Sequence, residues 1–311
     1  MKHRMRGAPG VVDAGVRLDR FNEMEGFMKT ILITGAGSGI GLATALELAR
    51  SGHRVLATML GPDETPELGA VAAREGLPIQ ISKLDVTSDA SVFECFESIE
   101  ERIDVLVNNA GIDARGSIEE LPLSAFWTVM DTNYLGAVRC MKAVLPQMRR
   151  ARSGCIINIS SLAGRAAHSP LGAYSASKFA LEAISETLAG EVKPFDIRVA
   201  IVEPGVQDTG LAQRLAEPGA SVYRQVQRYA NLFRAALVKP VSPGTTALVV
   251  RAIVESGTWQ LRHPAGPEAA PFMQWRASLT DEQWIDWNAQ DDEEWYRQVH
   301  RDFGLDARPT D

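Results

Sequence analysis

Residues 30–49, TILITGAGSGIGLATALELA, run a short apolar strand straight into a glycine-studded turn and then into an apolar-periodic helix. Glycine lets the chain turn sharply and lets a bound phosphate approach the backbone N–H groups. The helix N-terminus behind it adds a partial positive charge. An ordinary strand-to-helix turn has the same composition, but the position after a strand and before a helix is the context a dinucleotide fingerprint requires.

The same alternation continues along the chain. Short Ile/Val-rich runs at 30–34, 53–58, 78–86, 105–109, 155–160 and 197–204 read as strands, with helix-length patterns at 40–50, 88–100, 124–149 and 174–193 between them. This order predicts an α/β fold, a Rossmann-type doubly wound parallel sheet with helices on both faces. No linker or repeat interrupts it, so residues 28–268 form one domain. Residues 1–27 are expected to be a disordered extension, having no apolar run for a secretory signal or a membrane span. Residues 269–311 are set apart as a Trp-rich acidic helical tail.

Charge narrows the range of partners. The 311 residues carry a net charge of −7 without a lysine/arginine block, which argues against nucleic acid. Cys95, Cys140 and Cys155 have no CxxC spacing and read as buried free thiols in a reducing cytoplasm, with no metal site implied.

Further motifs follow strand ends in order: Asp85, then Asn108-Asn109-Ala110-Gly111, Ser160-Ser161, Tyr174-x3-Lys178 and Pro204-Gly205. Together with Thr34-Gly35-x3-Gly39-Ile40-Gly41, this set resembles the short-chain dehydrogenase/reductase family over residues 28–268, nearest to its hydroxysteroid- and retinol-dehydrogenase-like members. In an open parallel sheet such positions converge on one crevice. The resemblance implies a cofactor, NAD or NADP, held by Gly35, Gly37, Ser38, Gly39, Ile40 and Gly41 and by Met59, Asp85, Val86, Asn109, Ala110 and Gly111. Tyr174, Lys178, Pro204, Gly205, Val206 and Thr209 complete that set. Taken singly, Asp85 equally suits a helix cap and Asn108 to Gly111 a plain turn.

The resemblance assigns catalysis to Asn133, Ser161, Tyr174 and Lys178. Asn133 falls on the apolar stripe Phe126, Met130, Ala137, Met141 of its helix, where a buried amide needs partners. Those partners are either neighbouring backbone or, as in the family, a water linking Lys178 to solvent. Ser161 either caps its loop or bonds the substrate oxygen. Tyr174 and Lys178 share a helix face at i and i+4. Bringing a phenol of pKa about 10 to neutrality requires about 4 kcal/mol. A nearby ammonium and an oxidised nicotinamide can both contribute to it. Tyr174 would then be the general acid/base.

After the second strand, Ala57-Thr58-Met59-Leu60-Gly61-Pro62-Asp63 has neither the acidic residue that bonds a ribose 2′-OH nor the basic one that takes a 2′-phosphate. Leu60 stands where phosphate-binding relatives carry arginine, and Asp63 would repel a phosphate, so NAD is slightly favoured. Val222, Val226, Tyr229, Phe233 and Leu237 recur at helical spacing, either as core or as a cover over the crevice. The second case means a hydrophobic alcohol or ketone substrate, a choice the closing strand at 261–269 also resembles. The tail holds Trp275, Trp284, Trp287 and Trp295, with a capping box at Thr280-x2-Gln283. It packs on the domain, covers the pocket or joins a neighbour. The resemblance implies a homodimer or homotetramer paired through 124–149 and 174–193. An enzyme is favoured over a silent dinucleotide-binding regulator because a sensor needs no acid/base.

Overall fold

A computed structural model of the chain describes residues 28–61, 66–217 and 219–309. Seven strands form one parallel sheet in the order β3-β2-β1-β4-β5-β6-β7. They are β1 (Thr30–Thr34), β2 (Arg54–Met59), β3 (Ile79–Lys83), β4 (Val105–Asn108), β5 (Gly154–Ile159), β6 (Ile197–Pro204) and β7 (Arg262–Ala265). Central strands β1, β4 and β5 are buried almost throughout, which explains why they read as unbroken apolar runs. The chain reverses its direction of travel across the sheet between β1 and β4. This switch point opens a crevice at the C-terminal strand ends.

Helices cover both faces. On one side, α1 (Gly39–Arg50) and α9 (Gly244–Ser256) pack with Ile31, Ile33, Val55, Ile157 and Val202. On the other, α3 (Asp89–Glu97), α5 (Gly136–Ala151) and α6 (Gly172–Val192) pack with Leu32, Leu106, Ile156 and Val199. The alternation of inward residues along β1, Ile31 and Ile33 to one face and Leu32 to the other, ties both cores to a single strand. α2 (Pro66–Glu75) lies between β2 and β3, and α7 (Gly210–Ala216) and α8 (Arg224–Ala236) follow β6.

Several boundaries differ from those expected. β3 ends at Lys83, so Asp85 stands in a loop where its carboxylate accepts from the Thr87 N–H and hydroxyl. The expected helix 124–149 is α4 (Leu123–Met130), one π-helical turn at Asp131–Leu135, and α5. Val222, expected on the apolar stripe, precedes α8 and is exposed, while Val226, Tyr229 and Phe233 are buried. α2 and α9 were not anticipated. The 261–269 segment, expected as closing strand and loop, holds β7 and the loop after it. Asp63 and residues 1–27 lie outside the described residues.

The tail is three helices, α10 (Ala269–Ala277), α11 (Asp281–Ala289) and α12 (Asp292–Phe303). Thr280 and Gln283 make a reciprocal capping box at the start of α11. Trp284, Trp287, Trp295, Tyr296 and Val299 build an aromatic core of their own, closed against Leu232 and Ala235 of α8. Trp284 and Trp287 stack at 5.3 Å. Cys95, Cys140 and Cys155 are buried free thiols whose ionisation burial opposes, Cys140 being pushed up to about 12.

Candidate active site

The turn after β1 demands glycine at two places. Gly35 has φ +67°, and a Cβ there would stand 2.8 Å from the Ala110 Cα. A Cβ on Gly41 would stand 2.2 Å from the Gly35 carbonyl oxygen. The β1 and β4 turns are then stitched together. Thr34 Oγ1 accepts the N–H groups of Asn109 and Ala110 at 3.0 Å each, and Asn109 Nδ2 donates to the carbonyls of Thr34 and Gly35. Ser38, the N-cap of α1, makes no side-chain cap bond, leaving the first-turn N–H groups uncapped by it.

These turns and the ends of β2 to β6 wall one cavity of about 1030 Å³. Its lining includes Gly35, Gly37, Ser38, Gly39, Ile40, Met59, Asp85, Val86, Asn109, Ala110, Gly111, Ser161, Tyr174, Lys178, Pro204, Gly205, Val206 and Thr209. Two residues expected there lie behind the wall. Gly41 is spent on helix-to-turn packing, and Asn133 faces the β4 turn rather than the cavity.

Asn133 is 1% exposed and centred in the π turn. Its Oδ1 accepts the Ile112 N–H at 2.8 Å, and its Nδ2 donates to the Ile112 carbonyl at 2.9 Å and to Ser177 Oγ at 3.0 Å. The widened turn lets one amide satisfy these groups without breaking the helix.

Tyr174 and Lys178 sit one helical turn apart on α6, with the Lys178 Nζ 5.7 Å from the Tyr174 ring centroid. Lys178 Nζ donates to the Ile159 carbonyl at 2.9 Å, at the end of β5. Burial pulls its ammonium down to about 8, with the carboxylate of Glu182 opposing. Burial drives the Tyr174 phenol up to about 12, against the hydrogen bond from the Ser161 side and with the Asp113 charge adding to the rise. The chain's own groups therefore keep the phenol protonated. Ser161 also caps a short 3-10 turn (Leu162–Gly164), its Oγ accepting the Ala163 N–H at 3.1 Å.

The geometry fits a dinucleotide. Uncapped backbone N–H groups at α1 suit a pyrophosphate. At Pro204-Gly205, Glu268 leaves Oε1 buried without a partner, 2.0 Å from where a Gly205 Cβ would be. Burial raises its carboxyl, with its own and the Val206 N–H opposing. An amide N–H would match that oxygen.

A family model described as short chain dehydrogenase matches residues 29–220. The chain belongs to the short-chain dehydrogenase family. Human retinol dehydrogenase 8 is 47% identical over 182 residues, 57% of this chain and 58% of that protein. A 3-ketodihydrosphingosine reductase of Bacteroides thetaiotaomicron is 45% identical over 183 residues, 58% of this chain and 64% of that protein. Both alignments thus span less than two thirds of these relatives. A short-chain dehydrogenase structure from Streptomyces avermitilis superposes with a TM-score of 0.72 at 31% identity, over 86% of this chain and 98% of that one. Among the described residues, no helix is long and apolar enough to cross a membrane.

The family's motifs miss the part of the cavity lined by His168, α8 and the tail. His168, Arg228, Phe272, Trp275, Trp287, Trp295 and Phe303 line the same space as Tyr174. His168 is held between Phe272 at 5.5 Å and Trp284 at 5.3 Å, with burial and then the Arg276 charge pulling it down to about 4. The tail covers the pocket. No local pattern in the sequence signals this, because the contacts join segments more than fifty residues apart.

Proposed function

We propose that the chain interconverts a secondary alcohol and a ketone, or an aldehyde and an alcohol, on a hydrophobic small molecule, with Tyr174 as the acid/base. The observation that carries this is the meeting of Tyr174, Ser161 and Lys178 in the lining of a cavity that α8 and the tail line with aromatic rings. When bound, the nicotinamide supplies or accepts the hydride and, oxidised, brings a positive charge.

The residues divide the remaining work. In reduction the protonated Tyr174 gives its proton to the substrate oxygen while Ser161 holds that oxygen. In oxidation Tyr174 takes the proton back. Lys178, held in place by the Ile159 carbonyl, would bind the nicotinamide ribose and stabilise the phenolate. Asn133 keeps the Ile112 loop and the π turn in register behind them. NAD is the preferred cofactor, because Leu60 is exposed at the mouth by β2 and no basic side chain stands among residues 57–61. A second copy pairs across α4, the π turn, α5 and α6, a face on which Leu123, Trp127, Leu135 and Phe179 are exposed. The buried thiols suit the cytoplasm.

Tyr174→Phe provides the test. It should leave nicotinamide binding, followed by fluorescence, nearly intact and abolish turnover over a panel of hydrophobic alcohols and ketones. Retained turnover would overturn the assignment. Tight nicotinamide binding by the wild type with no turnover across the panel would favour a regulator.

A further inference from the structure

The part of the cavity lined by α8 and the tail carries polar groups whose bonding capacity is unspent. Arg228 of α8 is 2% exposed yet lines the cavity. Its Nε donates to Asp292 Oδ1 at 2.5 Å and its Nη2 to the Gln290 carbonyl at 2.7 Å, while Nη1 is buried with no partner. Trp287, 8% exposed and also on the cavity wall, has its indole N–H buried without an acceptor. The two belong to one cluster, since Trp295 lies 5.6 Å from the guanidinium and 5.7 Å from the Trp287 ring. Gln290, in the turn joining α11 to α12, leaves its Oε1 buried and unmatched as well.

Buried donors without acceptors are costly, of the order of 1–3 kcal/mol each. A cavity wall is the place where a ligand can supply what is missing. Charge decides which ligand. Asp292 already neutralises Arg228, so a carboxylate would bring a second negative charge to a site whose positive charge is spent. A hydroxyl suits this chemistry, because its oxygen can accept from donors such as Arg228 Nη1 and Trp287 Nε1 without adding charge.

We propose that Arg228 and Trp287 form a distal subsite that binds a neutral hydroxyl at the far end of the substrate. Resting on the oxidoreductase reading above, the substrate is then bifunctional. One carbinol or carbonyl carbon reacts at Tyr174, and a second hydroxyl anchors the molecule across an apolar span lined by Tyr229, Phe233 and Phe272. Its orientation in the cavity is fixed from both ends.

The test uses medium- and long-chain methyl ketones, each in methyl-ended, ω-hydroxy and ω-carboxylate form, titrated calorimetrically into the full-length protein. The wild type should bind the ω-hydroxy member of a matched length about tenfold more tightly than the methyl-ended one, as expected for a recovered buried hydrogen bond. The ω-carboxylate should bind no better than the methyl-ended form. Trp287→Phe keeps an aromatic ring beside Trp284 but removes the N–H with the rest of the indole, so it is read as a ratio: the preference for the ω-hydroxy over the methyl-ended ketone of the same length should fall to about one, whatever the affinity for the methyl-ended form. Equal affinities in the wild type, a preference for the carboxylate, or a preference that survives Trp287→Phe would each overturn the proposal. Binding is read without turnover, so hydroxyl preference without reaction would leave the subsite standing and count against the oxidoreductase reading alone.

Discussion

Asn133 and Ile112 exchange two hydrogen bonds, side-chain Oδ1 to backbone N–H at 2.8 Å and side-chain Nδ2 to backbone carbonyl at 2.9 Å. One amide thereby does for the loop after β4 what a neighbouring strand would do. Asn133→Ala strands both Ile112 groups, and the expected cost is about 2–4 kcal/mol in chemical denaturation. Asn133→Asp keeps the acceptor but buries a charge and sets an oxygen against the Ile112 carbonyl, so at neutral pH it should cost at least as much. An alanine variant as stable as the wild type would show that Ile112 finds other partners.

The opposed positions of Tyr174 and Lys178 make a prediction about titration. Burial holds the phenol at about 12 and the ammonium at about 8, so the protein by itself carries protonated Tyr174 at neutral pH. Positive charge brought by oxidised cofactor should lower the phenol. The ultraviolet phenolate signal of the wild type minus Tyr174→Phe should move to lower pH on saturation with oxidised cofactor. An unmoved titration would remove the cofactor from the proton balance.

His168 links stability to pH. Its folded value of about 4 lies below the ordinary 6.5, because burial and the Arg276 charge disfavour the imidazolium. The unfolded chain therefore binds the extra proton between those values. The stabilisation is complete above pH 6.5 and is lost as pH falls toward 4, by about 2–3 kcal/mol. His168→Gln should flatten that part of the unfolding free-energy profile. An unchanged slope would assign the acid sensitivity to other groups.

On the outer face, Leu123 and Trp127 stand one turn apart on α4, both 75% exposed. Trp127→Glu should convert a dimer or tetramer to monomer in light scattering while leaving the melting temperature of the monomer close to that of the wild type. Light scattering that finds the wild type monomeric would refute this interface.

Cofactor preference should follow one position. Leu60 is 65% exposed beside the cavity. Leu60→Arg adds a cation there and should strengthen NADPH binding by about tenfold, with NADH affected little, as read by fluorescence titration. Tighter NADPH than NADH binding in the wild type would overturn the preference for NAD.

The cofactor half of the fold was legible because each of its demands falls on a short stretch. Strand, glycine turn and helix are contiguous from Thr30 to Arg50, and Tyr174 and Lys178 are four residues apart. Asn133 stood out as a polar residue on an apolar stripe, and the π turn around it is the physical reason it fits there. What stayed hidden depends on distant segments meeting. The bonds joining Asn108 to Asn158 and Asn158 to Ser185 thread two strands and a helix, and nothing around Asn158 announces them. Glu268 and Arg228 carry no local signal of their surroundings, since Glu268 Oε1 is buried through the close approach of Gly205 and Arg228 through that of α12. The Tyr-x3-Lys spacing puts phenol and ammonium on one helix face but carries no sign of the surroundings that raise the first and lower the second in the protein by itself.

The tail closes the pocket with residues that all follow position 268, whereas the match to the family model ends at 220. Under the proposed reading, most of what meets the substrate comes from α8 and the tail, beyond the family match, and the transforming residues come from within it. A chain built this way can exchange its clientele by rewriting α8 and the tail, with no edit to the glycine turn, the π turn or the tyrosine.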